Sequence, residues 1–239
     1  MHSFLHTFKY ALTAFILCST LSCSSQDEAP LEVPASVEES ETRYNYLALG
    51  DSYTIGEGVE EALRWPNQLI ELLRAEEIEI PESRIIAKTG WTTRQLINAI
   101  ENEDLSKFNL VSLLIGVNNQ YQKLPFQTFQ TEFNQLLETS IEISGDKRRV
   151  FVVSIPDYGV TPFGSANSIK IGDELDRYNA YIEEQCQLNS ISFINITQIS
   201  RELGASEGAL APDNLHPSGT QYSAWVDKIL PVVVDLLKK

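Results

Sequence analysis

Residues 44–58 read YNYLALGDSYTIGEG, an apolar run from Tyr44 to Leu49 that stops at Gly50, Asp51 and Ser52. A short continuous apolar stretch closed by a breaker suits a strand buried on both faces, as a parallel sheet requires. Similar runs follow at Arg84 to Lys88, Leu110 to Ile115, Val150 to Ile155 and Ile191 to Ile196. Between them, apolar residues repeat at helical spacing. The first such pattern opens at Trp65, has Pro66 in its first turn where a missing N–H costs nothing, and continues through Leu69, Ile70, Leu72 and Leu73. Others cover 93–102, 127–143 and 172–188. The last starts at Ser218, which stands in capping-box spacing to Gln221, and carries Tyr222, Trp225, Val226, Ile229 and Val233 on one face. Pro231 is expected to kink it, since an interior proline costs about 3 kcal/mol. Strands alternating with helices imply right-handed βαβ units. The fold class is therefore α/β, a three-layer α/β/α sandwich around a mainly parallel five-stranded sheet.

The chain of 239 residues, 43% hydrophobic, is long enough for one sizeable domain. Its formal net charge is -15, and its only basic cluster is Lys147-Arg148-Arg149. Nucleic acid is excluded as a partner, because binding it needs a basic footprint. At the N-terminus, Lys9 precedes the apolar stretch ALTAFILCSTLS, which is too short to span a membrane and fits a secretory signal over residues 1–22. The stretch TLSC, Thr20 to Cys23, resembles the lipobox of bacterial lipoproteins. That resemblance implies lipidation at Cys23 and a lipoprotein of the bacterial cell envelope, attached to the membrane by its anchor only; a soluble periplasmic or secreted protein is the alternative. Residues 24–43 are polar, acidic and broken by Pro30 and Pro34, so 23–43 reads as a flexible tether and 44–239 as the domain. Cys186 is then the one cysteine of the domain. It reads as a small buried apolar residue, with no disulfide framework around it.

In open α/β sheets ligands bind beyond the carboxyl ends of the strands. The segments there are GDSYTIGEG after the first strand, TGWTT after the second, GVNNQ after the third and PDYG after the fourth; the fifth leads through a longer excursion to APDNLHPS. Taken singly, a serine after a strand is a cap, a glycine serves backbone geometry and a loop asparagine makes a turn. His216 says more. Apart from His2 and His6 in the signal it is the only histidine, so imidazole chemistry must use it and a site with several imidazoles is excluded. Asp213 stands three residues before it, between Pro212 and Pro217.

A serine hydroxyl becomes a nucleophile when a base takes its proton and an acceptor holds the base. Ser52, His216 and Asp213 are the residue types for those roles. A developing oxyanion needs preorganised donors, and the N–H groups of Ser52 and Gly90 with the Asn118 side-chain amide are candidates. Trp91, Tyr121, Phe126, Tyr158 and Phe163 lie in or near the same loops and, with Asn119, are candidate substrate-lining residues. No metal site and no cofactor are expected. GxSxG and a P-loop are absent, and Gly56 and Gly58 lack the third glycine of a dinucleotide fingerprint.

Taken together, GDSYTIGEG, TGWTT, GVNN and DNLH resemble, in order, the four blocks of the SGNH or GDSL hydrolase superfamily, and they span Gly50 to His216. The resemblance implies a flavodoxin-like α/β/α fold and cleavage of carboxylic esters or thioesters through an acyl-enzyme. By it, Ser52 is the nucleophile, His216 the base, Asp213 its orienter, and Ser52, Gly90 and Asn118 the oxyanion hole. The sequence departs from the family pattern at Asn119, where Asp is frequent, and at Tyr53, where GDSY replaces GDSL. The expected substrate is an acylated glycan or a short-chain ester. The alternatives are a lysophospholipase or thioesterase, or a catalytically silent protein that binds a glycan or flavin at the same strand ends.

Overall fold

A computed structural model describes residues 43–238. The expected signal, Cys23 and the tether through residue 42 lie outside the described residues. Strands β1 (Tyr46–Gly50), β2 (Ser83–Ala87), β3 (Leu110–Leu114), β4 (Val150–Val153) and β5 (Ser192–Ile194) form one sheet in the order β2-β1-β3-β4-β5. Every neighbouring pair is parallel. Each strand lies within about two residues of its apolar run, because β1, β3 and β4 are buried along their whole length and leave no place for a polar residue facing water. The edge strand β2 is more exposed, which is why it tolerates Ser83 and Arg84 at its start.

The helices are α1 (Ser52–Ile55), α2 (Trp65–Ala75), α3 (Thr93–Ile100), α4 (Val117–Tyr121), α5 (Phe126–Ser144), α6 (Ser168–Asn189), α7 (Thr197–Leu203) and α8 (Gly219–Leu237). One layer packs α2 on α8 around the fully buried Trp65 and Trp225; the other packs α3 on α5 and α5 on α6. Burying each large side chain contributes about 1.5–3 kcal/mol, so this interior supplies the main stabilising term. Among the described residues no helix is long and apolar enough to cross a membrane.

Two local expectations change. Ser218 does cap α8, accepting the Gln221 N–H at 3.2 Å, but the Gln221 side chain turns away and donates to Ala209 O at 2.8 Å. The complete capping box sits instead on α3, where Thr92 and Gln95 exchange both bonds. Helix α8 also runs on through Pro231. Pro231 and Asp227, whose carbonyl loses its i+4 donor, both lie on the exposed side of the helix, where solvent can reach that carbonyl.

The register places the site. Gly50 stands opposite Ala87 on one side and Leu114 on the other, so β1, β2 and β3 end level and their loops emerge side by side. This strand order has its switch point between β1 and β3, where the connections diverge to opposite directions and leave a crevice.

Candidate active site

Ser52 is the first residue of α1, directly after β1, and is 4% exposed. Asp51 caps that short helix by accepting the Tyr53 N–H at 3.1 Å. Its carboxyl is wholly buried, and burial pushes its pKa up to about 7 against the N–H groups of Tyr53, Asp51 and Gly116, which favour the anion.

His216 sits in a narrow loop closed by a bridge between Leu210 and Pro217. Within it the Ala211 N–H donates to His216 O at 2.8 Å, the Ser218 N–H donates to Ala209 O at 3.0 Å, and Asn214 takes a left-handed φ of 58°. Asp213 Oδ1 accepts the N–H groups of Leu215 and His216 at 2.9 Å each, and Oδ2 lies 2.6 Å from His216 Nδ1. Burial alone would raise the Asp213 pKa; the His216 ring and those two N–H groups outweigh it and hold the carboxyl below its ordinary value. With the Nδ1 proton committed to Asp213, Nε2 is left as an acceptor. The Tyr53 ring meets the imidazole edge-on at 5.6 Å and leans on Trp225 at 6.3 Å, so the tyrosine of GDSY wedges the histidine from behind.

Gly90 has φ +85° with open space where a Cβ would stand, so glycine is needed for the backbone conformation and not for room. Asn118 is half-buried at the start of α4 and donates one amide N–H to Trp91 O at 3.0 Å. That bond ties the loops after β2 and β3 together and leaves the second N–H for a ligand.

Ser52, Gly90, Asn118 and His216 line one cavity of about 230 Å³, with Tyr121, Tyr158 and Phe163 around its mouth. Asp213 stands behind His216. Among the described residues no hydrogen bond closes between Ser52 Oγ and the imidazole; such contacts often tighten only around substrate. The cavity also takes in Tyr53, Thr89, Val117 and Leu215. Each of these is a chain neighbour of a motif residue, which was the available signal.

Trp91, Asn119 and Phe126 are not on the cavity wall. Phe126 packs among Phe129, Tyr178 and Tyr181 under the Arg177 guanidinium. Asn119 is fully buried: Oδ1 accepts the Thr93 N–H at 3.0 Å, and Nδ2 donates to Thr93 Oγ1 at 2.7 Å. The Thr93 hydroxyl proton goes to Glu132, whose other oxygen pairs with Arg94. Thr93 Oγ1 can therefore only accept, and an amide fits here where a carboxylate would not. Among the described residues no group of three or more His, Cys, Asp or Glu side chains is arranged to hold a metal ion.

The parallel sheet thus gathers Ser52, Gly90, Asn118 and the Asp213-supported His216 beyond the carboxyl ends of its strands. Residues 48–224 match the model of the GDSL-like lipase/acylhydrolase family, and the chain belongs to that family. It is accordingly a hydrolase acting on esters. Its fold is similar to that of a family 3 carbohydrate esterase from Clostridium thermocellum, at 19% identity and a TM-score of 0.65 over 82% of this chain and 98% of that one. It is also similar to the psychrotrophic esterase EstA from Pseudoalteromonas sp., at 17% identity and a TM-score of 0.59 over 82% of this chain and 99% of that one. A third similar structure is the acetylxylan esterase Axe2 from Geobacillus stearothermophilus, at 18% identity and a TM-score of 0.61 over 80% and 94% of the two chains. No curated protein matches by sequence.

Proposed function

We propose that the protein cleaves small acyl groups from esters through an acyl-Ser52 intermediate. The observation that carries this reading is the meeting of Ser52, Gly90, Asn118 and His216 on one small cavity, with Asp213 bonded to the far side of the imidazole. Ser52 Oγ attacks the acyl carbon as His216 Nε2 takes its proton. The oxyanion is held by the N–H groups of Ser52 and Gly90 and the free N–H of Asn118. Collapse breaks the ester C–O bond, and His216 returns the proton to the departing alkoxide. Water then attacks the acyl-serine by the same route, releasing the acid and restoring Ser52.

Acylated glycans and short-chain esters are the substrates this reading favours. The small volume of the cavity supports it, as do the printed descriptions of two similar structures, a carbohydrate esterase and an acetylxylan esterase. Lysophospholipase or thioesterase activity is the rival. The N-terminal signal and lipobox-like TLSC favour action in the bacterial cell envelope from a lipid anchor on Cys23. The test is hydrolysis of p-nitrophenyl esters from acetyl to palmitoyl by the domain from Tyr44, beside Ser52→Ala, with a serine-directed fluorophosphonate. Turnover and labelling that vanish with Ser52 are expected, strongest for short acyl groups. Folded protein that is neither active nor labelled would refute the reading.

A further inference from the structure

Beside the catalytic cavity lies a second one of about 310 Å³, and Tyr121, Tyr158 and Phe163 belong to the walls of both. We infer that this second cavity holds the alcohol part of the substrate and takes an uncharged, hydroxyl-rich group of the size of a sugar ring; the inference rests on the hydrolytic role of Ser52.

The partition between the two spaces is a triangle of rings. Tyr121 and Phe163 face each other at 5.8 Å, and each lies 6.2 Å from Tyr158. Tyr158 is buried, whereas Tyr121 and Phe163 are each 53% exposed, an unusual position for side chains of that size next to a fixed base. Gly164 allows this: a Cβ there would stand 2.2 Å from Tyr158 O, so only glycine lets the Phe163 loop close onto Tyr158. Exposed ring faces stack well against the C–H face of a sugar and need no charge to do so.

The far wall is polar and already ordered. The Tyr158 hydroxyl donates to Gln120 Oε1 at 2.9 Å, and Gln120 Nε2 donates to Glu174 Oε2 at 2.6 Å. Glu174 Oε1 in turn stands 3.8 Å from Lys170 Nζ. Asn167 and Lys123 complete the rim, Lys123 from a left-handed turn with φ 57°. Glu174 shares this wall with Lys170 and Lys123, so both signs of charge are present and a ligand of one charge alone would not satisfy it. A hydrocarbon chain would cover Glu174 and Lys170 without replacing their water, which is costly. Hydroxyl groups, which both donate and accept, can pair with Glu174, Lys170, Lys123 and Asn167 alike.

The experiment compares kcat/KM for 6-O-acetylglucose with that for ethyl acetate, two acetates of primary alcohols that differ in the alcohol alone. Asn167 and Lys170 are exposed, so Asn167→Ala/Lys170→Ala should leave the fold intact. The ratio of the sugar ester to ethyl acetate should fall about tenfold or more in that variant, as expected for losing hydrogen bonds to a charged group. A ratio that stays put overturns the inference. So does a variant that loses ethyl decanoate selectively, since the cavity would then hold the acyl chain. If neither acetate shows Ser52-dependent turnover, the hydrolytic reading fails on its own account. NMR titration of the folded protein with methyl glucoside then decides the subsite: shifts of the Tyr121 and Phe163 ring signals support it, and their absence overturns it.

Discussion

Asp213 holds His216 twice, by the backbone and by the ring: Oδ1 accepts the His216 N–H at 2.9 Å while Oδ2 lies 2.6 Å from Nδ1. One carboxylate thus sets both where the imidazole stands and which nitrogen faces the cavity. With only two residues between the partners, the geometry is local to a single turn and needs no help from a distant strand.

Asp213→Asn should separate these two functions. The amide oxygen can still accept the backbone N–H groups, but the amide nitrogen presents a donor to Nδ1 and favours the wrong tautomer. A drop in kcat of about 10²- to 10⁴-fold with little change in folding is expected, because that side chain is 39% exposed. Steady-state kinetics beside thermal unfolding checks it; a loss below tenfold would mean that Asp213 does not set the tautomer. Turnover should also fall in acid, as it needs an unprotonated Nε2. The depressed Asp213 pKa means that its own link is present at neutral pH and fails only as pH drops below the ordinary carboxylate range.

Asn118→Ala removes one oxyanion donor and the bond to Trp91 O. The expected effect is a fall in kcat of about 10²- to 10³-fold, equivalent to roughly 3–4 kcal/mol, with a much smaller change in KM. Equal losses in binding and turnover would instead indicate a collapsed loop.

Asn119→Ala should act on stability. It leaves the buried Thr93 N–H without a partner, a cost of about 1–3 kcal/mol before relaxation, and removes the bond that Thr93 Oγ1 accepts while its own bond to Glu132 remains. Urea unfolding should show the loss. Asn119→Asp should be destabilising too, since Thr93 has already given its proton to Glu132; a neutral outcome would contradict that hydrogen-bond direction.

Asp51 links stability to pH in the direction opposite to Asp213. Its folded pKa of about 7 stands above the ordinary value, so between those limits the folded state binds a proton that the unfolded chain has lost. Stability from this group is present at low pH and declines as pH rises through that window. Denaturation at pH 4 and pH 8 should therefore show Asp51→Asn gaining on the wild type at the higher pH, by an amount on the order of a few kcal/mol. A gap between the two proteins that does not change with pH would exclude this linkage.

Cys186 is buried on α6, and burial pushes its thiol up to about 12. Iodoacetamide should leave the folded domain unlabelled and fully active, and should label it in urea, since the thiolate is the reactive form. Rapid labelling of native protein would show that α6 opens.

Strands, helices and the four loop motifs were legible because each is written in adjacent residues. A strand buried on both faces must be apolar throughout, so the runs at 110–115 and 150–155 mark β3 and β4 closely. A lone histidine narrows the chemistry by count alone. Where a loop side chain points was not legible: Trp91 and Asn119 neighbour Gly90 and Asn118, yet the turn sends one pair to the cavity and the other away from it. Likewise Gln221 has capping-box spacing, but Ala209 O offers its side chain a partner that no spacing rule contains.

The sequence by itself determined the α/β class, the order of motifs and the residue types available for ester chemistry, since these depend on hydrophobic period and composition. Only the tertiary structure decided that β1 and β3 lie side by side, so that Ser52 and Asn118 line one crevice, and that Gln120 and Glu174, from helices far apart in the chain, share a wall with Tyr158. Side-chain direction after a strand and contacts between distant helices follow from packing the whole interior at once. No local stretch of the chain contains that information.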